Sequence, residues 1–228
     1  MATWRLMLGL IAAAVVAIGA AAVVPGSARP GSADSYDSYM YRMLGSGYAY
    51  RPDRPAPVTD LAAARADAQR FANHLGLRVA GVLEFRNNFY VKLNDHGGRA
   101  ATEGLVDPQT GMVSIEYGPA MMWNTRYGVG RAAQRMMGSY SYGYSGTGGS
   151  AAGTVSVSTA RAHTLAQRWL DANEPGTRVE SGADAFPGYY TLETLRGGRI
   201  SGMISVNAGT GAVWPHWWHG AFIAGWKA

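Results

Sequence analysis

Cysteine is absent from the chain, which excludes disulfides, thiolate nucleophiles, zinc knuckles and iron–sulfur ligation together. Lysine is nearly absent, with Lys92 and Lys227 the only two among 20 basic residues, and charged residues of both signs make up only 15% of the sequence. The arginines are scattered, without a run of five or six like charges, so the net charge of +5 describes a mildly basic surface and no nucleic-acid arm. Catalytic signatures are missing as well: there is no HExxH, GxSxG, Walker loop or EF-hand pattern. The stretch GTGGSA at 146–151 comes near a dinucleotide fingerprint but has no strand pattern before it. These absences predict a protein that is not an enzyme and has no nucleic-acid partner.

What the chain does have is apolar residues, 47% of the total, enough for a core. Leu6–Val24 is an uncharged apolar run of nineteen residues behind Arg5. As a helix it would rise roughly 28 Å, about the thickness of a bilayer's hydrocarbon layer. It is longer than the core of a usual cleaved signal, so residues 1–28 are expected to be a retained signal-anchor, although GSA ending at Ala28 offers a cleavage site. Either outcome places the rest of the chain outside the cytoplasm. The expected location is the cell membrane, single-pass, with contact to lipid through residues 6–24.

An internal repeat organises the remainder. AQRF at 68–71 returns as AQRW at 166–169, an offset of 98. FYVKLNDHGGR at 89–99 returns as YYTLETLRGGR at 189–199, and VDPQTGMV at 106–113 as VNAGTGAV at 206–213, both offset by 100. Eight of the 25 positions in 89–113 are identical to their counterparts without a gap. The expected fold class is therefore α+β: an N-terminal transmembrane helix followed by two repeated modules, each a helix packed on an antiparallel three- or four-stranded sheet.

Each module opens on a helix. Leu61, Ala64, Ala68, Phe71 and Leu75 form one apolar stripe, with Thr59 or Asp60 as cap and Gly76 for the left-handed turn beyond the end. Ala162, Leu165, Ala166 and Trp169 form the second stripe behind Ser158. Strands follow. Leu83, Phe85, Phe89, Val91 and Leu93 alternate with Glu84, Arg86, Asn88, Tyr90 and Lys92, which predicts one dry face, interrupted by Asn87, and one wet face. Gly97–Gly98 and Gly197–Gly198 supply hairpin turns, and DPQTG (107–111) and NAGTG (207–211) supply second ones. The modules span 58–128 and 155–228. A Tyr/Gly/Pro-rich spacer covers 29–57, and a Gly/Ser/Tyr linker covers 129–154.

The helix, the FYV/YYT strand, the GGR turn and the VDPQTG/VNAGTG turn of each half resemble the PepSY domain. EFRNNFY, GPAMMWNTRYG and GMISVNAGTGAVWPHWWHGAF are similar to a subgroup of membrane proteins with two such domains, whose function is unsettled. The resemblance implies a membrane-anchored, extracytoplasmic binding module, an accessory subunit with a protein partner in a membrane complex. By analogy with propeptides it also admits an inhibitor or folding assistant of a secreted protease.

The residues richest in chemistry end the modules. The second closes on VWPHWWHG at 213–220, the first on GPAMMWN at 118–124. Met121, Met122, His216 and His219 are a candidate metal set, thioether with imidazole, of the kind copper takes. Against this, His216 and His219 at i and i+3 would point to opposite faces of a strand, and only a helical turn would align them. Trp123, Trp214, Trp217, Trp218 and Tyr127 are the candidate docking residues for a partner. Pro215 lacks an amide donor and marks an edge.

Overall fold

The computed structural model describes residues 48–129 and 156–228. The expected signal-anchor, most of the spacer and most of the linker lie outside the described residues. Among those described, no helix is long and apolar enough to cross a membrane.

The fold is α+β with antiparallel sheets and few helices. Strand β1 (Ala49–Tyr50) precedes helix α1 (Leu61–His74). There follow β2 (Arg78–Phe85), β3 (Phe89–Asn94), β4 (Ala100–Val106), β5 (Val113–Ile115) and the single-turn helix α2 (Pro119–Met122). Helix α3 (Thr159–Asn173) then leads into β6 (Thr177–Val179), β7 (Asp184–Phe186), β8 (Tyr189–Arg196), β9 (Arg199–Asn207), β10 (Val213–Pro215) and β11 (Phe222–Lys227). The strands make two sheets. Sheet A has the order β1-β5-β4-β3-β2-β11, and sheet B the order β10-β9-β8-β6 with β7 also on β8.

Local chemistry accounts for the helices and turns. Asp60 caps α1, its carboxylate accepting from the Ala63 amide at 2.8 Å, and Ser158 caps α3 through the Arg161 amide at 3.2 Å. Gly76 takes φ +67° after α1. The turns after β4 and β9 are built alike. Asp107 Oδ1 accepts from the amides of Gln109 and Thr110, and Asn207 Oδ1 accepts from those of Gly209 and Thr210. Helix α1 buries Ala64, Ala68, Phe71 and Ala72 against Val82, Val91, Leu93, Val106 and Ile115 of sheet A. Helix α3 buries Ala162, Ala166 and Leu170 against Leu192, Ile204 and Val206 of sheet B. The stripe there turns slightly from expectation: Leu170 is sealed, and Trp169 packs only partly buried at the rim.

Three features of the strands differ from the sequence reading. The alternating run 83–93 is not one strand. It breaks at Arg86–Asn88, where the Phe85 amide donates to the Asn88 carbonyl, and it folds as the β2–β3 hairpin. The expected wet face is also dry in part, since Tyr90 is buried. Helix α1 covers one face of sheet A, while Met203 of sheet B packs with Leu83, Phe85 and Tyr90 on the other. A sheet covered on both sides loses simple alternation. The largest departure is β11, which follows sheet B in sequence yet pairs with β2 at the edge of sheet A. The turn between β7 and β8 packs closely on the segment after α2 at Gly188 (φ +96°), where a Cβ would stand 2.3 Å from the Trp123 carbonyl oxygen. No L side chain fits there.

Candidate metal centre

Glu116 is the first residue beyond β5, and its amide donates to the Glu103 carbonyl in β4, one step past the strand. His216 is the first residue beyond β10, and its amide donates to the Met203 carbonyl in β9. Both pairs are separated by the offset of 100 that relates the halves of the sequence. The backbone thus delivers Glu116 and His216 by the same device from two sheets. Pro215 ends β10, so period-2 geometry stops there, and the chain turns through residues 216–220 with Gly220 at φ +76°. That turn brings His219 back beside His216.

The three side chains converge. One ligand atom from each of Glu116, His216 and His219 lies within 4.8 Å of the others, and all three residues are buried. His219 Nε2 stands 3.0 Å and His216 Nδ1 3.2 Å from Glu116 Oε1. Beyond that contact to Oε1 neither nitrogen has another partner, and Glu116 Oε2 has no hydrogen-bond partner at all. A carboxylate oxygen sealed from solvent without a partner is costly, since it has given up water without replacement.

The far side of each ring is by contrast fully engaged. His219 Nδ1 lies 2.8 Å from Asn88 Oδ1, and His216 Nε2 lies 2.8 Å from Ser205 Oγ, which continues to Thr191 Oγ1 at 2.8 Å. An amide oxygen only accepts, so His219 carries its proton on Nδ1 and in its neutral form turns the Nε2 lone pair toward Glu116. This is the arrangement of metal-ligating histidines, whose second ring nitrogen is fixed by an outer polar group. The spacing agrees. Donors about 2.1 Å from a shared ion stand roughly 2.9–3.4 Å apart for right-angle to tetrahedral geometry. Aromatic rings close the site: Phe85 stacks on His219 at 4.6 Å and Trp218 on His216 at 4.7 Å. Trp218 also donates Nε1–H to Glu116 Oε1 at 3.0 Å.

Electrostatics favour an ionised carboxylate. Burial pushes the Glu116 carboxyl up, but His216 and His219 outweigh it and bring it down to about 2. Burial drives His219 toward the neutral form against the pull of Glu116, while in His216 the nearby carboxylates overcome burial and hold the proton more tightly than usual. Beside this triad, Glu103 accepts from the Tyr90 hydroxyl on one oxygen and the Tyr189 hydroxyl on the other, both at 2.7 Å. Burial and the charge of Glu116 push the Glu103 carboxyl up to about 7. An unfolded chain gives up that proton near pH 4.5, the folded one only near 7, so folding loses stability across this window as pH rises. In metal-free protein, the stability of Glu103→Gln relative to wild type should therefore climb from pH 4.5 to 7, by at most about 1.4 kcal/mol per pH unit, and then level off. Urea unfolding at a series of pH values checks it, and a flat difference would mean that Glu103 ionises normally.

Of the four metal candidates from the sequence, His216 and His219 come together in one buried cluster, and the methionines lie on α2. Met122 is 57% exposed and Met121 half-buried on α2, whereas both imidazoles are sealed. Sequence reasoning missed Glu116, and with it Asn88, Ser205, Glu103, Tyr90 and Tyr189. The signal for Glu116 was present in the offset of 100, which sets it on His216. Of the docking candidates, Trp217 is 77% exposed. Trp218 is buried, Trp123 and Trp214 meet edge to face at 5.4 Å, and Tyr127 packs half-buried on the sheet A core.

Set against family models, curated proteins and solved structures, the chain matches none.

Proposed function

We propose that the protein is a membrane-anchored, extracytoplasmic metal-binding module, built from two PepSY-like repeats, that holds one divalent transition-metal ion on Glu116, His216 and His219. The observation that carries this is the convergence of two buried imidazoles, each fixed from behind, on a buried carboxylate whose second oxygen has no partner. Two imidazoles and a carboxylate are a borderline donor set suited to zinc, ferrous or cupric ions. They are a poor match for Cu(I), which favours thioether ligands, whereas Met122 is 57% exposed and Met121 only half-buried. The enclosure by Phe85, Trp218 and Tyr90 suits retention of the ion and not turnover of a substrate. The role of accessory subunit rests on the sequence resemblance, and Trp217, 77% exposed, is the large ring most open to a partner among the described residues.

Full-length protein purified in mild detergent and stripped with chelator should take up Zn(II) or Co(II) at one equivalent, read by elemental analysis and by the Co(II) visible spectrum. A protein that takes up neither ion, or a Glu116→Ala/His216→Ala protein that takes up both unchanged, would end the proposal. Cu(I) bound in place of Zn(II) would leave a metal protein of the softer class.

A further inference from the structure

The ligands His216 and His219 lie on residues 216–221, the short link that carries the chain from β10 in sheet B to β11 in sheet A. The third ligand, Glu116, belongs to sheet A's own continuation beyond β5. An ion on all three would tie the link, a few residues before β11 begins, to the sheet that β11 must join.

Strand β11 has little else to hold it. It is an edge strand with one neighbour, β2, and its register shifts between Phe222 and Ala224. Its residues alternate between half-buried and exposed, with none fully buried. Gly225 contributes no side chain, and its backbone lies close enough that a Cβ would meet Leu83 Cδ2 at 2.7 Å. Side-chain anchors are three: Phe222 edge-on to Phe85 at 5.7 Å, Trp226 under the Arg65 guanidinium at 4.0 Å, and Lys227 paired with Glu193 at 2.6 Å. The link itself is bound to the β2–β3 turn, where the Asn87 amide donates to the His219 carbonyl, Asn87 Nδ2 to the Trp218 carbonyl, and the Arg86 amide to the Ala221 carbonyl. Movement of His216 and His219 therefore reaches the root of β11 directly.

We propose that metal occupancy latches β11 onto β2, so that the ion decides whether the edge of sheet A is closed. This rests on the metal-binding reading above. With the ion present, the root of β11 is held and the strand rebinds as fast as it frays, because its effective concentration at β2 is that of a short tether. With the ion removed, the Nε2 lone pair of His219 and the carboxylate of Glu116 face each other with nothing between, and the link keeps its three hydrogen bonds to the β2–β3 turn without the tie of the ion. What β11 leaves behind is the row of backbone donors and acceptors of Arg78–Phe85, a strand edge that an extended polypeptide segment fits.

The test is amide hydrogen exchange on full-length protein in detergent, with Zn(II) and after chelation, together with a fluorescent peptide carrying the chain's own residues 221–228. Exchange across Phe222–Lys227 should rise at least tenfold when zinc is removed, while the amides of β3 and β4 change little. The peptide should bind the stripped protein and be excluded from the loaded one. His216→Ala/His219→Ala should exchange like stripped wild type whether or not zinc is added. One equivalent of zinc bound with no change in β11 exchange overturns the latch and leaves the metal site standing. No zinc bound overturns both. A peptide that ignores the stripped protein, despite fast exchange in β11, overturns the open edge as a docking site.

Discussion

Alanine at His219 is expected to lower the affinity of the full-length protein for Zn(II) on the order of a hundredfold or more, because the proposed centre has three donors among the described residues and loses one outright. Alanine at Asn88 should cost roughly ten- to a hundredfold although it removes no ligand, since Asn88 Oδ1 fixes the tautomer and orientation of the His219 ring. Asn88→Asp should recover the loss, as a carboxylate accepts the same Nδ1–H and makes the ring a stronger donor. Met121→Ala combined with Met122→Ala should leave affinity unchanged, because Met122 is exposed and Met121 only half-buried while the imidazoles are sealed. Competition against a chromophoric chelator measures all four. Full affinity in His219→Ala, or a collapse in the methionine variant, would move the centre away from Glu116 and back to a soft-ligand site. Binding consumes the unprotonated form of His216, whose proton is held more tightly than usual, so zinc uptake should release protons and strengthen as pH rises through neutrality.

How far the sequence could lead to this site is plain from its residues. Helices α1 and α3 and their caps follow from short-range pattern: a 3-4 apolar stripe, a capping Asp or Ser, a glycine beyond the end. The turns at 107–111 and 207–211 are likewise local, set by Asp107 or Asn207 and a glycine at positive φ. His216 and His219 stood out by type. Their meeting was harder to foresee, because the rule that i and i+3 diverge holds only while a strand lasts, and Pro215 ends β10 one residue earlier. Glu116 looked like any acid after a strand. Its role depends on the long-range approach of two sheets, which no local pattern encodes, and only the offset of 100 between the halves pointed to it. The departure of β11 to the other sheet is of the same kind. Nothing in FIAGWK says which of two similar edges it will join; in the fold Phe222 meets Phe85, Trp226 meets Arg65, and Lys227 reaches back to Glu193 of sheet B.

The two helices also carry unequal weight, and this yields the largest stability effect. Phe71 on α1 is completely buried among residues of sheet A, whereas Trp169, its counterpart at the offset of 98, packs on sheet B only partly buried. Phe71→Ala should therefore cost about 3–5 kcal/mol, through lost apolar burial and the cavity left among close-packed neighbours. Trp169→Ala should cost less than half as much despite the larger side chain removed, because solvent already reaches the ring and can occupy the space vacated. Leu170→Ala, about 2–5 kcal/mol, is the better match to Phe71 in the second half. Urea unfolding of the zinc-loaded protein measures the three. Because β11 crosses between the sheets and Glu116 meets His216 across them, the loss at Phe71 should shift one shared transition, with Trp and far-ultraviolet signals moving together. Two separate transitions, with Phe71→Ala displacing only one, would show that the sheets fold independently and that β11 and the metal centre couple them too weakly to matter.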